Sequence, residues 1–171
     1  DGGDITGSID KFRQAVSLSP NRPEGYTNWG VALAKLGQLE DAIEKFEQAI
    51  ERAPHHATNY MLLGAALLEK GDITAAAAQY GKATELDPTN PSPLINHGVA
   101  LARIGQHAEA ITHFKKALAL QKHQPHVYFL WGAALAELGQ HQEAIEKFRL
   151  TVRYIPKHLE AISFWAVSLN E

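Results

Sequence analysis

Residues 26–54 read YTNWGVALAKLGQLEDAIEKFEQAIERAP, from Tyr26 to Pro54. Tyr26, Trp29, Leu33 and Leu36, with Gly30 among them, recur every three or four residues, the period that lines one face of a helix. Gly37 follows, the residue that takes left-handed backbone at least steric cost and so ends a helix. A second stripe then places Ile43, Phe46, Ala49 and Ile50 on one face. Pro54 cannot continue that helix. The stretch predicts two helices hinged at Gly37. Gly30 and Ala42 carry almost no side chain, so the two backbones can approach closely, with Trp29 or Phe46 wedged alongside.

The rest of the chain copies this unit. Glycine recurs at Gly30, Gly64, Gly98 and Gly132, in steps of 34. The hinge glycine recurs in the same step, at Gly3, Gly37, Gly71, Gly105 and Gly139. Ala42, Ala76, Ala110 and Ala144 follow in register, as do Phe12, Phe46, Tyr80, Phe114 and Phe148. Prolines close the units at Pro20, Pro54, Pro88 and Pro156, with Lys122 where a further proline is due. Pro23, Pro91 and Pro125 fall where a first-turn proline costs no hydrogen bond. One helix pair cannot bury both of its faces, whereas stacked pairs can, so the units need one another.

The length of 34, the aromatic–Trp–Gly–Leu pattern of the first helix and the Ala–Phe–Ala–Pro pattern of the second resemble the tetratricopeptide repeat (TPR) family, over the whole chain. The resemblance implies an all-α fold, a right-handed superhelical solenoid of antiparallel helix pairs. It implies a single domain over 1–171 with a half repeat at 1–22, full repeats at 23–56, 57–90, 91–124 and 125–158, and a half repeat at 159–171. Ten helices are expected, the first over residues 4–19. In the last helix Ala166 stands where the packing glycine is due. The half repeats should expose Ile9, Phe12 and Val16 at one end and Ile162, Trp165 and Leu169 at the other. Two accounts of these ends stand side by side: a piece cut from a longer array, or ends that pack head to tail between molecules, a heterologous contact that does not close on itself.

Bulk composition narrows the function classes. With 45% hydrophobic and 20% charged residues, the chain is expected to fold. A net charge of −3 gives no reason to expect nucleic acid, whose binders usually carry a basic face. There is no cysteine, hence no disulfide or thiolate chemistry. No apolar run approaches the ~18–20 residues of a membrane span.

In the TPR family the first helix of each pair lines the inner surface that holds ligands. By that resemblance the expected ligand-contacting side chains are Thr27, Asn28, Val31 and Lys35 in the first full repeat. The next repeat adds Met61, Leu62, Ala65, Leu68 and Glu69, and the third Ile95, Asn96, Val99 and Arg103. The fourth adds Phe129, Leu130, Ala133 and Glu137, and the last half repeat Ser163, Phe164 and Val167. Met61, Leu62, Ile95, Phe129, Leu130 and Phe164 are unusually apolar for a solvated face. Either they pack on neighbouring helices, or they form a binding surface for an amphipathic helix or an extended peptide. The first full repeat is the most polar of the four, which places partner choice between Met61 and Phe164. Asn28 and Asn96 would hold a peptide backbone, and Lys35, Arg103, Glu69 and Glu137 would form a mixed rim. Chaperone-binding members grip a C-terminal carboxylate with Lys, Asn and Arg at set places on successive first helices. Here those places hold Thr27 and Val31, Met61 and Ala65, Ser92 and Asn96, or His126 and Leu130. A chaperone tail is therefore not the expected partner.

Nine histidines invite a metal or catalytic reading. His55, His56, His123 and His158 fall between pairs and His126 opens a first helix. His107 and His141 start second helices. None comes with the convergent partners a metal site needs. His97, in the place of Trp29 and Trp131, is expected to be a buried, hydrogen-bonded core residue. There is no phosphate loop and no Ser-His-acid set. Glu40, Asp41, Glu44, Glu47 and Glu51, with Lys45 and Arg52, read as a solvated face. The expected function is a protein or peptide scaffold with no cofactor, no metal and no catalysis of its own. The alternatives are a self-assembling array, or the recognition arm of a larger enzyme such as a glycosyltransferase.

Overall fold

The computed structural model describes residues 2–170, with side chains placed from Gly7 onward. Every regular element among them is a helix: α1 (Gly2–Leu18), α2 (Pro23–Lys35), α3 (Leu39–Arg52), α4 (Ala57–Lys70), α5 (Ile73–Leu86), α6 (Pro91–Arg103), α7 (His107–Leu120), α8 (Pro125–Glu137), α9 (His141–Tyr154) and α10 (Leu159–Ser168). α1 begins at Gly2, earlier than its repeat alignment predicts, and runs through Gly3 without the left-handed turn that the later hinge glycines make.

Helix ends follow from local chemistry. Pro23, Pro91 and Pro125 occupy first turns, where no amide hydrogen is needed. Asp72 caps α5 by accepting a hydrogen bond from the amide of Ala75 (3.0 Å). The turn inside each pair is left-handed, with φ +74° at Gly37 and +96° at Gly71. Where the expected proline is replaced by Lys122, the connection finds another path. His123 takes φ +62°, and Gln124 becomes buried with its amide donating to the carbonyl of Gln121 (3.2 Å).

The helices pair as α2–α3, α4–α5, α6–α7 and α8–α9. Close approach within a pair is enforced by glycine. A Cβ built on Gly30 would lie 2.6 Å from the ring of Phe46, and one on Gly132 would lie 2.7 Å from Phe148. The chain divides into two units, Asp1–Asp87 and Pro88–Glu171. In the first, Leu33, Ala42, Phe46, Leu63 and Ala66 form the core, with Ile9, Trp29, Val31 and Leu62 packed on it. In the second, Leu101, Phe114, Val127, Leu135 and Phe148 are central, and Ile95, Val99, Phe129, Leu130 and Trp165 pack around them.

The two end helices differ from each other and from expectation. In α1, Ile9, Phe12 and Val16 are half-buried rather than exposed, because that face turns onto α2. Ile9 joins the first unit's core, and Val16 lies 3.0 Å from where a Cβ on Gly25 would stand. The exposed side of α1 carries Lys11, Arg13, Gln14 and Ser17. In α10, Leu159, Ile162, Phe164, Val167 and Leu169 are all exposed, while Trp165 is half-buried on the core. Ala166 is exposed, so the extra methyl meets no packing limit.

Candidate peptide-binding face

The first helices lie side by side within each unit, α2 next to α4, and α6 and α10 each next to α8. In the first unit this brings Val31, Lys35, Leu62, Ala65 and Glu69 around one hollow of about 380 Å³, floored by Phe46 and Ala66. A second hollow of about 240 Å³ adjoins it, lined by Asn28, Val31 and Lys35 with Phe12 from α1. Val31 and Lys35 belong to both. The exposed members are Asn28, Lys35, Ala65 and Glu69, whereas Val31, Met61 and Leu62 are half-buried. Thr27 is turned to another task. Its hydroxyl lies 2.8 Å from Oδ1 of Asn59 and 3.1 Å from the carbonyl of Pro23, bridging α2 to α4. Asn59 is buried, a polar tie that sequence periodicity does not reveal because its register mates are Gly25, Pro93, Val127 and Ala161.

In the second unit Arg103 and Glu137 are exposed, and Asn96 and Ala133 are half-buried. Ile95, Val99, Phe129 and Leu130 are also half-buried, leaning on the core beneath. Phe129 sits in an aromatic nest. Its ring centroid is 4.8 Å from His158, 5.8 Å from Phe164 and 6.1 Å from Phe148. His158 is fixed there because its Nδ1 accepts a hydrogen bond from the amide of Ala161 (3.1 Å), capping α10. Phe164 is the most exposed ring of the nest, at 41%. The expected apolar face therefore exists as a set of partly covered side chains, not as a fully solvated one. Each leans on a neighbouring helix and offers an edge.

A family model described as "Tetratricopeptide repeat" matches residues 27–91 and 95–157. The chain belongs to the tetratricopeptide repeat family. A search of the curated proteins finds no sequence match. Among solved structures, MamA superposes with a TM-score of 0.85 at 23% identity, covering 92% of each chain. YrrB, described as a TPR protein with an unusual peptide-binding site, gives 0.82 at 24%, covering 92% of this chain and 81% of its own. TTC0263 of Thermus thermophilus, a thermophilic TPR protein, gives 0.69 at 22%, covering 99% and 92%. At these identities the likeness carries the TPR fold and nothing finer.

Among the described residues no three or more His, Asp or Glu side chains gather as a metal site, and no helix is long and apolar enough to cross a membrane. On α3 Glu44 pairs with Lys45 (2.6 Å) and Glu51 with Arg52 (3.7 Å), and Glu40 of α3 pairs with Lys70 at the end of α4 (3.2 Å). These are exposed or partly exposed contacts of small energetic weight. His97 departs from expectation. It is half-buried, its Nδ1 has no hydrogen-bond partner, and its ring packs on that of His113 at 4.3 Å.

Proposed function

We propose that the chain is a non-catalytic interaction scaffold that captures a peptide or helix of a partner protein on the inner faces of its first helices. The observation that carries this reading is the hollow between α2 and α4. Five side chains chosen from the sequence as ligand contacts converge there, apolar below and charged at the rim. A hydrophobic peptide side chain fits the floor of Phe46, Leu62 and Ala66, while Lys35 and Glu69 hold polar backbone or side-chain groups. In the second unit the exposed edges of Phe129 and Phe164 offer a further apolar anchor. Aromatic anchors of this kind concentrate binding energy.

Ala65→Arg tests the reading without touching the core, because Ala65 is an exposed helix residue. Against a random peptide array, peptides that bind the native chain should lose at least about tenfold in affinity, a cost of ~1.4 kcal/mol or more. Unchanged affinity for every such peptide would rule out the hollow as the binding site. A second reading, self-association, is favoured by the exposed apolar side chains of α10.

A further inference from the structure

One slot in the repeat holds different pairs in different copies. It holds Trp29 and Lys45 in the first full pair, Leu63 and Gln79 in the second, His97 and His113 in the third, and Trp131 and Lys147 in the fourth. In two of these an ammonium lies over an indole, with Lys45 Nζ 4.7 Å from the ring centroid of Trp29 and Lys147 Nζ 4.1 Å from that of Trp131. A lysine stays charged across the neutral range, so such a contact ignores mild acid. In α6–α7 the slot holds two imidazoles, with centroids 4.3 Å apart and planes at 49°. Nδ1 of each is buried and has no hydrogen-bond partner.

Neutral, these rings pack as two flat, largely apolar bodies. A proton on one creates a charge inside a helix crossing, and protons on both set like charges in contact. The charged groups acting on the pair are both on α7. Glu109 favours the protonated form of each ring, and Lys116 opposes it at His113. Neither α6 itself nor the neighbouring α8 supplies a facing acid. α6 contains none, and its Arg103 is exposed at its end. The only acid of α8 is Glu137, its exposed last residue, and its His126 is exposed near its start.

We infer that His97 and His113 make the α6–α7 pair an acid-sensitive joint, packed at neutral pH and loosened when the two rings take up protons. Burial, the leading cause, holds both rings below the usual histidine range. His97 and Lys116 help bring His113 down to about 4. In the unfolded chain each would protonate near ~6.5. The stability due to the neutral pair is therefore complete above that pH and drains as pH falls toward about 4. Because α6 also carries Ile95, Asn96 and Val99, the joint lies under part of the proposed binding face, but it does not depend on what that face holds.

The test compares the native chain with His97→Leu/His113→Gln, which copies the second pair's Leu63 and Gln79. Histidine ring protons are titrated by NMR and amide exchange is followed from pH 7 to 5, with intrinsic exchange rates divided out. In the native chain, opening of α6–α7 relative to α2–α3 should rise by roughly tenfold or more over that range. The double variant should lose this rise. Ring pKa values at or above 6.5, or the same pH response in both proteins, overturns the inference. If the variant does not fold at pH 7, His97→Trp/His113→Lys, copying the fourth pair, takes its place with the same two outcomes.

Discussion

Gly132 shows how much one hydrogen atom can hold. Phe148 is fully buried because its ring occupies the space that a Cβ at position 132 would take, at 2.7 Å. Gly132→Ala should therefore destabilise the chain by about 1–2 kcal/mol, the cost of overpacking less what alanine returns in helix propensity. Gly7→Ala should do the opposite by up to ~1 kcal/mol, since a Cβ there meets nothing within 4 Å. Urea midpoints at constant slope measure both, and an unchanged or raised midpoint for Gly132→Ala contradicts the packing argument. Residue identity announced the close approach, because Gly and its aromatic recur in the same step of 34, but it left Trp29 and Phe46 as equal candidates for the wedge, and the structure gives that place to Phe46. It did not announce Thr27–Asn59 or His97–His113. Each of those depends on which of two facing helices a polar side chain meets, and a single unrepeated pair leaves no periodic trace.

At the scale of elements, sequence reading placed the helices well because turn glycines and prolines mark most of their ends. It misjudged α1. Ile9, Phe12 and Val16 form an apolar stripe, but periodicity says only that a stripe is covered, not by which neighbour. α2 half-covers it. The inner faces were read as solvent-facing for a related reason. Counting around a helix gives the direction of Ile95 or Phe129, but not how far an adjacent first helix shields it. α10 is the element left most apolar outside, with Leu159 76% and Leu169 64% exposed. Head-to-tail packing would set that face against α1, whose exposed side is mostly polar apart from Ala15 and Leu18. If α10 drives association, the native chain sediments faster with rising concentration, and Leu169→Asp abolishes the effect. A strict monomer over that range removes α10 from consideration as a self-association surface.

Across the whole molecule, repetition does the structural work, and the proposed binding role rests on the departures from it. The framework residues, Gly and aromatic in each pair, vary little from copy to copy. The inner-face residues vary most, from Asn28 and Lys35 through Leu62 and Ala65 to Phe129 and Leu130. The scaffold proposed above needs a constant frame and a changing lining, and the sequence has both. The hollow between α2 and α4 draws on Val31 and Lys35 as much as on Leu62, Ala65 and Glu69, so the proposed site begins one repeat earlier than the Met61–Phe164 span. The most direct measurement is amide chemical-shift mapping of the native chain titrated with a peptide selected from the random array. The amides of Val31, Lys35, Leu62, Ala65 and Glu69 should move while those of Glu47, Glu51, Lys82 and Glu85 on the outer helices stay. Shifts confined to the outer helices, with the α2 and α4 amides unmoved, would contradict binding on the inner face.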